Sequence, residues 1–328
     1  MSQSTPGPTA ATPVAPTGLH HVTAIASSPQ RNVDFYARVL GLRLVKRTVN
    51  FDAPESWHLY YGDESGTPGS LLTFFPWPDV PRGRQGSGLT TATAFSVPET
   101  SLGWWAERLR GLGVETDAPT SRDGEDVLTL RDRDGMVLDL VASPGDTRSG
   151  WDGAAGIPAE HAVRGLHSVT MTEAVVERTA TMLTDLLGMG TGDESTDRTR
   201  FTMGAGGSGA SLDVTPGAGV RGLQAGGTVH HVAFRAPDLP TMTSWQHQLM
   251  DAGVAVTEIR DRQYFKSIYF REPGGVLFEI ATDDPGFTTD EPLLELGRTL
   301  KLPPWLEPSR AQIAAALPDL GADEAGER

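Results

Sequence analysis

The sequence contains no cysteine. The chain therefore forms no disulfide and offers no thiolate to a metal ion, so a metal site in it has to use histidine and carboxylate ligands. Long apolar runs are also missing, since no stretch reaches the roughly 18 to 20 residues that a membrane-spanning helix needs. Aromatic residues are sparse at 7%, but a hydrophobic share of 38% over 328 residues is enough for a sizeable core.

Basic residues are the scarcer charged class, with 27 Lys and Arg against 42 Asp and Glu and a formal net charge of -15. Because nucleic acids and anionic membranes attract clustered basic side chains, neither is predicted as a partner. A small molecule is the better prediction, and a homo-oligomer stays open. Residues 1–17 are rich in Pro, Ser, Thr and Ala and lack the features of a signal peptide, so we expect a disordered tail and a cytoplasmic location.

One pattern recurs four times with a period of roughly 60 residues: a short strand, an amphipathic helix and about three further strands. The helices predicted near 32–40, 102–112 and 242–252 are each followed by a glycine, which commonly ends a helix. One such module leaves a sheet face exposed, so modules should pair and curl around a shared cavity. The pattern predicts an α+β fold of four βαβββ modules paired into two curled sheet barrels.

The module boundaries follow from the same pattern. Modules one and two are predicted over residues 18–150, and modules three and four over 165–290. A stretch rich in Gly, Asp and Pro precedes module three, and we place the linker at 151–164. Residues 291–328 are predicted to form a C-terminal arm with a short helix.

Two His-His pairs stand in matching first strands, His20-His21 in module one and His230-His231 in module four. Side chains alternate between the two faces of a strand. His21 and Thr23 then share a polar face with the cavity, whereas His20 lies on the apolar face toward the helix, and His230 and His231 divide in the same way. The second histidine of each pair is therefore the predicted ligand.

A single carboxylate, Glu279, stands in the apolar stretch 276–281 of module four. Burying an unpaired carboxylate is costly, so a metal ion or a basic partner is expected beside it. Two neutral imidazoles and one carboxylate are a ligand set suited to Fe(II) or Mn(II). The three side chains together predict a metal site.

The motifs around these residues resemble the vicinal oxygen chelate superfamily and, within it, the hydroquinone-type ring-cleaving dioxygenases. The resemblance covers about residues 18–310. It is most specific in three segments: LHHVT at 19–23, GLRLVKRTVNFD at 41–52, and DRQYFKSIYFREPGG at 261–275, which leads into Glu279.

The resemblance implies a ligand set and a group of residues around the substrate. The implied Fe(II) ligands are His21, His231 and Glu279, with Mn(II) as the alternative ion. The residues implied around the substrate are His20, Thr23, His230, Arg262 and Tyr269. For His20 and His230 this implication conflicts with strand alternation, and the two readings stay open. The face on which Tyr269 lies depends on the length of the following hairpin loop, which the sequence leaves undecided.

The family geometry offers four ligand positions in a module pair, and in the pair of modules one and four the fourth falls near Thr73. This position separates the candidate functions. Left without a ligand, it implies an Fe(II)-dependent extradiol-type dioxygenase that cleaves hydroquinones or related diphenols and inserts both atoms of O2. The alternatives are a metal-dependent isomerase or lyase of the glyoxalase type and a metal-free protein that binds an aromatic ligand or antibiotic. In modules two and three, Asp139 stands at the acid position without a histidine partner, so no second catalytic metal is predicted there.

Overall fold

A computed structural model describes residues 14–151, 155–195 and 197–320. Most of the predicted N-terminal tail lies outside these residues. Its last part crosses module four, where the carbonyl of Val14 accepts a hydrogen bond from Trp245 Nε1 at 2.8 Å. Within the described ranges, no helix is long and apolar enough to span a membrane.

Each of the four predicted modules is present. The elements of module one are β1 (Leu19–Ala26), α1 (Pro29–Val33) with its π-helical continuation Asp34–Val39, β2 (Arg43–Asn50), β3 (Ala53–Gly62) and β4 (Leu71–Pro76). Those of module two are β5 (Leu89–Val97), α2 (Leu102–Gly111), β6 (Thr120–Arg122), β7 (Glu125–Arg131) and β8 (Val137–Ala142).

The second half repeats this order. The elements of module three are β9 (Gly165–Glu173), α3 (Val176–Thr181) with its π-helical continuation Met182–Leu186, β10 (Gly190–Ser195), β11 (Arg198–Thr202) and β12 (Ser211–Pro216). Those of module four are β13 (Thr228–Ala236), α4 (Leu239–Asp251), β14 (Arg260–Asp261), β15 (Lys266–Arg271) and β16 (Leu277–Thr282). Short 3₁₀ turns and α5 (Arg310–Ala316) follow.

Within the described residues the strands form two eight-stranded sheets, and each sheet combines two modules. One runs β14-β15-β16-β13-β1-β4-β3-β2 and joins modules four and one, while the other runs β10-β11-β12-β9-β5-β8-β7-β6 and joins modules three and two. The predicted fold class and the pairing of module one with module four are confirmed. Partners that are distant in sequence meet because the first strands pair antiparallel, β1 with β13 and β5 with β9.

Two module helices begin earlier than predicted because their caps lie upstream of the apolar periodicity. Ser28 caps α1 by accepting from the Arg31 amide, and Asp238 caps α4 by accepting from the Thr241 amide at 2.7 Å. A proline stands in the first turn of both helices, where its missing N–H costs nothing. The glycine after α4, Gly253, has a φ of 81°, which explains the glycine there.

The C-terminal arm runs along the outer strand of module one. The Lys301 amide donates to the Arg47 carbonyl at 2.9 Å. Next to this contact, the fully buried Lys46 Nζ binds Asp290 at 2.6 Å and Glu291 at 2.5 Å. These contacts close the module-one edge of the sheet.

A buried acid, Glu173, lies at the junction of modules three and four. Its side chain is 1% exposed and packs against Gly274 in the hairpin between β15 and β16. Its Oε1 atom accepts no hydrogen bond from the part of the chain described. Burial and the neighbouring Glu272 raise the pKa of Glu173 to about 8. The folded protein therefore holds a proton here that the unfolded chain releases at lower pH.

We predict that Glu173→Gln stabilises the protein at alkaline pH. Because the folded pKa of Glu173 is raised from 4.5 to about 8, this group destabilises the wild-type fold increasingly as pH rises through that window. The amide cannot ionise, so the melting temperature of the variant should exceed that of the wild type at pH 9 and approach it at pH 5. Calorimetry at both pH values measures the difference, with Glu177→Gln on the exposed face of α3 as the control. An equal difference at both pH values would contradict the prediction.

Candidate metal centre

Three side chains from three adjacent strands converge inside the sheet of modules one and four. His21 comes from β1, His231 from β13 and Glu279 from β16, and one ligand atom from each lies within 4.8 Å of the others. Glu279 Oε2 is 3.3 Å from His21 Nε2 and 2.9 Å from His231 Nε2. The two Nε2 atoms are 3.2 Å apart. The structure thus brings together all three predicted ligands.

The chemistry of this cluster fits a divalent cation. All three residues are buried, and Glu279 Oε1 has no hydrogen-bond partner among the described residues. Although burial alone would raise the pKa of Glu279, His21 and His231 hold it well below its ordinary value, so the carboxylate is ionised. Two imidazole nitrogens that face each other and an ionised carboxylate are donors that need a positive charge between them. The site therefore suits a metal ion, and its donor set admits several transition metals.

The first histidine of each pair stands in a β-bulge. Along β1, Leu19 pairs with Phe234 but His21 pairs with Ala233, which leaves His20 as the extra residue. A shift of the same kind leaves His230 as the extra residue in β13. A bulge interrupts alternation and re-aims a side chain. Alternation, one of the two readings left open for these residues, placed both on the helix-facing side, but it holds only for a regular strand and does not apply to a bulged residue.

Both bulged histidines bind the histidine that follows them. His20 Nδ1 is 2.9 Å from His21 Nδ1, and His230 Nδ1 is 2.8 Å from His231 Nδ1. Burial, and in each case the adjacent histidine, lowers the pKa of His20 and of His230 to about 3, so both are neutral at pH 7. Each pair consequently shares one proton between its two Nδ1 atoms.

The surroundings of His20 decide where that proton resides. His20 Nε2 is 3.1 Å from the carbonyl of Thr282, which can only accept, so Nε2 carries the hydrogen of the neutral ring. His20 Nδ1 must then accept from His21 Nδ1–H, so Nε2 is the nitrogen of His21 that faces Glu279. His20 thus determines which ring nitrogen of His21 faces the candidate metal site.

A cavity of about 330 Å³ opens beside the three ligand residues. Its apolar walls are Phe51, Phe75, Phe265 and Leu277. Its polar lining consists of the ligand residues together with Asn50, Asp52, His58, Tyr60, His230, Thr257, Arg260, Arg262 and Tyr269. The volume and the aromatic walls suit a small aromatic molecule.

Tyr269 and Arg262, both predicted near the substrate, form one unit in this cavity. The register pairs Tyr269 with Glu279, which places the tyrosine on the ligand side of the sheet. The Tyr269 hydroxyl accepts from Arg262 Nε and from Ser267 Oγ, each at 3.0 Å. Arg262 also binds Asp52 at 3.0 Å. Burial raises the pKa of Tyr269 above its ordinary value, so the hydroxyl keeps its proton.

Two of the predicted residues, His20 and Thr23, do not line the cavity. Thr23 Oγ1 is hydrogen-bonded to Thr73 Oγ1 at 2.7 Å. Thr73 pairs with Thr23 in the same way that Glu279 pairs with Ala233, so Thr73 occupies the fourth ligand position predicted near it. His58 and Tyr60, which sequence reasoning missed, do line the cavity, and their i, i+2 spacing in β3 is the signal that could have found them.

In the sheet of modules two and three, guanidinium groups neutralise the acids at the positions that correspond to Glu279 and Thr73. Arg122 binds Asp139 at 2.6 Å, while Arg198 and Arg200 bind Asp213 at 2.9 and 2.8 Å. Asp213 pairs in register with Thr170 and so corresponds to Thr73. Arginine side chains in modules two and three thus pair with acids at positions that correspond to the candidate metal site of modules one and four.

The family model of the glyoxalase/bleomycin resistance protein/dioxygenase superfamily matches residues 18–140 and 165–280. The chain belongs to this superfamily. The predicted resemblance is confirmed. One matched range covers modules one and two, and the other covers modules three and four.

Relatives within the superfamily match almost the whole chain. MhqE of Bacillus subtilis, assigned as a ring-cleaving dioxygenase, is 42% identical over 303 residues, 92% of this chain and 99% of that protein. The chlorohydroquinone/hydroquinone 1,2-dioxygenase of Sphingobium indicum is 34% identical over 315 residues, 92% of this chain and 96% of that protein. These relatives confirm the expected enzyme class, a ring-cleaving dioxygenase.

Solved structures of superfamily members agree with the architecture. One solved structure is that of a Bacillus subtilis protein described as a dioxygenase. It superposes with a TM-score of 0.90 at 38% identity, over 95% of this chain and 99% of that one. Glyoxalase I from Zea mays superposes with a TM-score of 0.61 at 16% identity, over 81% of this chain and 92% of that one. The second likeness shows the shared fold alone.

We predict that Glu279→Gln abolishes stoichiometric metal binding while the protein stays folded. The amide keeps the shape of the side chain but removes the charge that His21 and His231 face. Metal analysis after anaerobic loading and dialysis should find about one ion per wild-type chain and far less in the variant. Asp139→Asn, at the corresponding position of the other half, is the matched control and should keep the ion. Full occupancy in Glu279→Gln would show that the three residues are not the ligand set.

Proposed function

We propose that this superfamily member is an Fe(II)-dependent extradiol-type dioxygenase that cleaves hydroquinones or related diphenols and inserts both atoms of O2. The observation that carries the proposal is the composition of the four ligand positions. Three hold His21, His231 and Glu279, and the fourth holds Thr73, whose hydroxyl is occupied by hydrogen bonds to Thr23 and His58. A three-ligand site leaves room for two exogenous ligands, which a reaction between a diphenol and O2 requires.

His21, His231 and Glu279 would hold Fe(II), with Mn(II) as the alternative ion, and the bound ion would supply Lewis acidity toward the diphenol and redox chemistry toward O2. The rest of the chemistry is positioning by the chain. Phe51, Phe75 and the other apolar walls hold the ring and exclude water from it.

Two hydrogen-bond donors face a substrate oxygen in this proposal. Tyr269 Oη already accepts from Arg262 and Ser267, so its own proton is free to bind an oxygen in the cavity. His231 must keep the lone pair of Nε2 for the ion and therefore donates from Nδ1 to His230 Nδ1, which leaves the hydrogen of neutral His230 on Nε2. We propose that both groups stabilise the negative charge that develops on oxygen during turnover.

The remaining predicted residues support this arrangement. His20 holds the tautomer of His21, and Thr23 holds the hydroxyl of Thr73, so both act through a neighbour. A small aromatic compound and O2 are the proposed partners, and neither a nucleic acid nor a membrane is proposed.

The function is tested by anaerobic Fe(II) reconstitution followed by O2 uptake with hydroquinones, catechol and methylglyoxal-thiol adducts. We expect O2 consumption with hydroquinones, a higher kcat/KM for them than for catechol, and two labelled atoms in the open-chain product when the O2 is isotopically labelled. Isomerisation of a thiol adduct without O2 consumption would favour the glyoxalase alternative. Binding of aromatic compounds without any turnover would favour the binding protein.

Tyr269→Phe should slow turnover by roughly 10- to 100-fold, since loss of a bond worth about 1.4 to 2.7 kcal/mol in the transition state has that effect. Tyr61→Phe removes a hydroxyl bound to Asn32 at 2.9 Å outside the cavity and is the matched control. Steady-state kinetics with a hydroquinone measure both variants. Equal rates in the two variants would remove Tyr269 from the proposed chemistry.

A further inference from the structure

The module-one wall of the cavity has a polar pair that mirrors the tyrosine on the opposite wall. Tyr60 pairs in register with Thr73, just as Tyr269 pairs with Glu279. His58, two residues before Tyr60 in β3, then corresponds to Ser267, two residues before Tyr269 in β15. Two tyrosines thus stand at equivalent positions on the two sides of the metal centre, and both line the cavity.

The Tyr60 hydroxyl belongs to a chain of hydrogen bonds. Tyr60 Oη is 2.9 Å from His58 Nδ1, His58 Nε2 is 2.9 Å from Thr73 Oγ1, and Thr73 Oγ1 is 2.7 Å from Thr23 Oγ1. Both ring nitrogens of His58 are used within the protein, so His58 orients its neighbours and has no free nitrogen for a ligand. The Tyr60 oxygen has one of its hydrogen-bonding positions taken by His58 and keeps capacity for another partner.

The groups that form this series of hydrogen bonds are uncharged, and the bonds can be oriented in either of two directions. Burial, followed by His21 and His231, lowers the pKa of His58 well below its ordinary value, so the ring is neutral. If His58 donates from Nε2 to Thr73, then Tyr60 donates to His58 and its oxygen accepts from a ligand. In the opposite orientation, His58 accepts from Thr73 and donates from Nδ1 to the Tyr60 oxygen, and Tyr60 donates to the ligand. A hydroxyl group, which both donates and accepts, suits either direction.

The opposite wall differs in charge. There the Tyr269 hydroxyl is bound by the guanidinium of Arg262, which favours a ligand oxygen that is negative. The two walls together therefore distinguish an ionised oxygen on the Tyr269 side from a neutral hydroxyl on the Tyr60 side. A diphenol that binds with one oxygen ionised and the other protonated presents this pair of groups.

We propose that Tyr60, held in place by His58, forms a subsite for the neutral second hydroxyl of the substrate and that this subsite selects diphenols over monophenols. The proposal rests on the proposed function, since it names what the same cavity recognises. Tyr60 contacts the substrate, and His58 is a positioning residue.

The test is anaerobic binding to the metal-loaded protein, measured by calorimetry with hydroquinone and with 4-methylphenol. In 4-methylphenol a methyl group of similar size replaces the second hydroxyl. Wild-type protein should bind hydroquinone more tightly than 4-methylphenol. Tyr60→Phe should weaken hydroquinone binding by about 10-fold, the usual order for one lost hydrogen bond, and leave the affinity for 4-methylphenol unchanged. Tyr61→Phe, which removes a hydroxyl outside the cavity, should change neither affinity.

Two His58 variants separate positioning from packing. His58→Leu removes both nitrogens and should reproduce the loss seen in Tyr60→Phe. His58→Gln keeps a donor and an acceptor near the Tyr60 and Thr73 hydroxyls and should restore part of the hydroquinone selectivity. An equal loss for both ligands in His58→Leu, without rescue by His58→Gln, would mean that His58 only packs, and it would overturn its assignment.

The outcomes for Tyr60 are independent of turnover. If Tyr60→Phe weakens both ligands equally or neither, or if the wild type does not prefer hydroquinone, the subsite is wrong even when O2 uptake occurs. If the selectivity depends on Tyr60 but hydroquinone supports no O2 uptake, the subsite stands and the dioxygenase proposal fails.

Discussion

The antiparallel pairing of β1 with β13 is the contact on which the candidate site depends. It joins modules one and four into one sheet and brings His21 beside His231, although the two residues are 210 positions apart. Glu279 then arrives on β16, which is hydrogen-bonded to β13. No local segment contains the candidate site, so its three side chains meet only when β1 has paired with β13.

Bulges in β1 and β13 change the direction of two histidine side chains beside the candidate metal site. A regular strand would turn successive histidines to opposite faces, but the extra residue at His20 and at His230 lets each one bind its neighbour through Nδ1. Nε2 of His21 and Nε2 of His231 are thereby the ring nitrogens that face Glu279. The bulge brings the two Nδ1 atoms of each pair together, and the hydrogen bond between them orients the ring that faces the candidate metal site.

The two sheets have equivalent strand orders but carry different charges at corresponding inward positions. In modules one and four, two imidazoles and one carboxylate converge. In modules two and three, Arg122 and Arg200 bind the acids at corresponding positions, and the charge is balanced within the chain. The strand order is equivalent in the two sheets, and the side chains at a few corresponding inward positions differ in charge.

The sequence by itself indicated the four modules and singled out His21, His231 and Glu279 as candidate ligands, because repeats, glycines after helices, matching His-His pairs and an isolated acid in an apolar strand are local signals, whereas the pairing of modules one and four was implied only by the family resemblance. Only the tertiary structure decided the orientations of His20 and His230, since a bulge is a property of two paired strands. The same holds for Tyr60 and His58, which become a pair facing the cavity only where β3 lies beside Thr73. Register, hydrogen-bond direction and burial depend on contacts between distant segments, and for that physical reason a single strand does not reveal them.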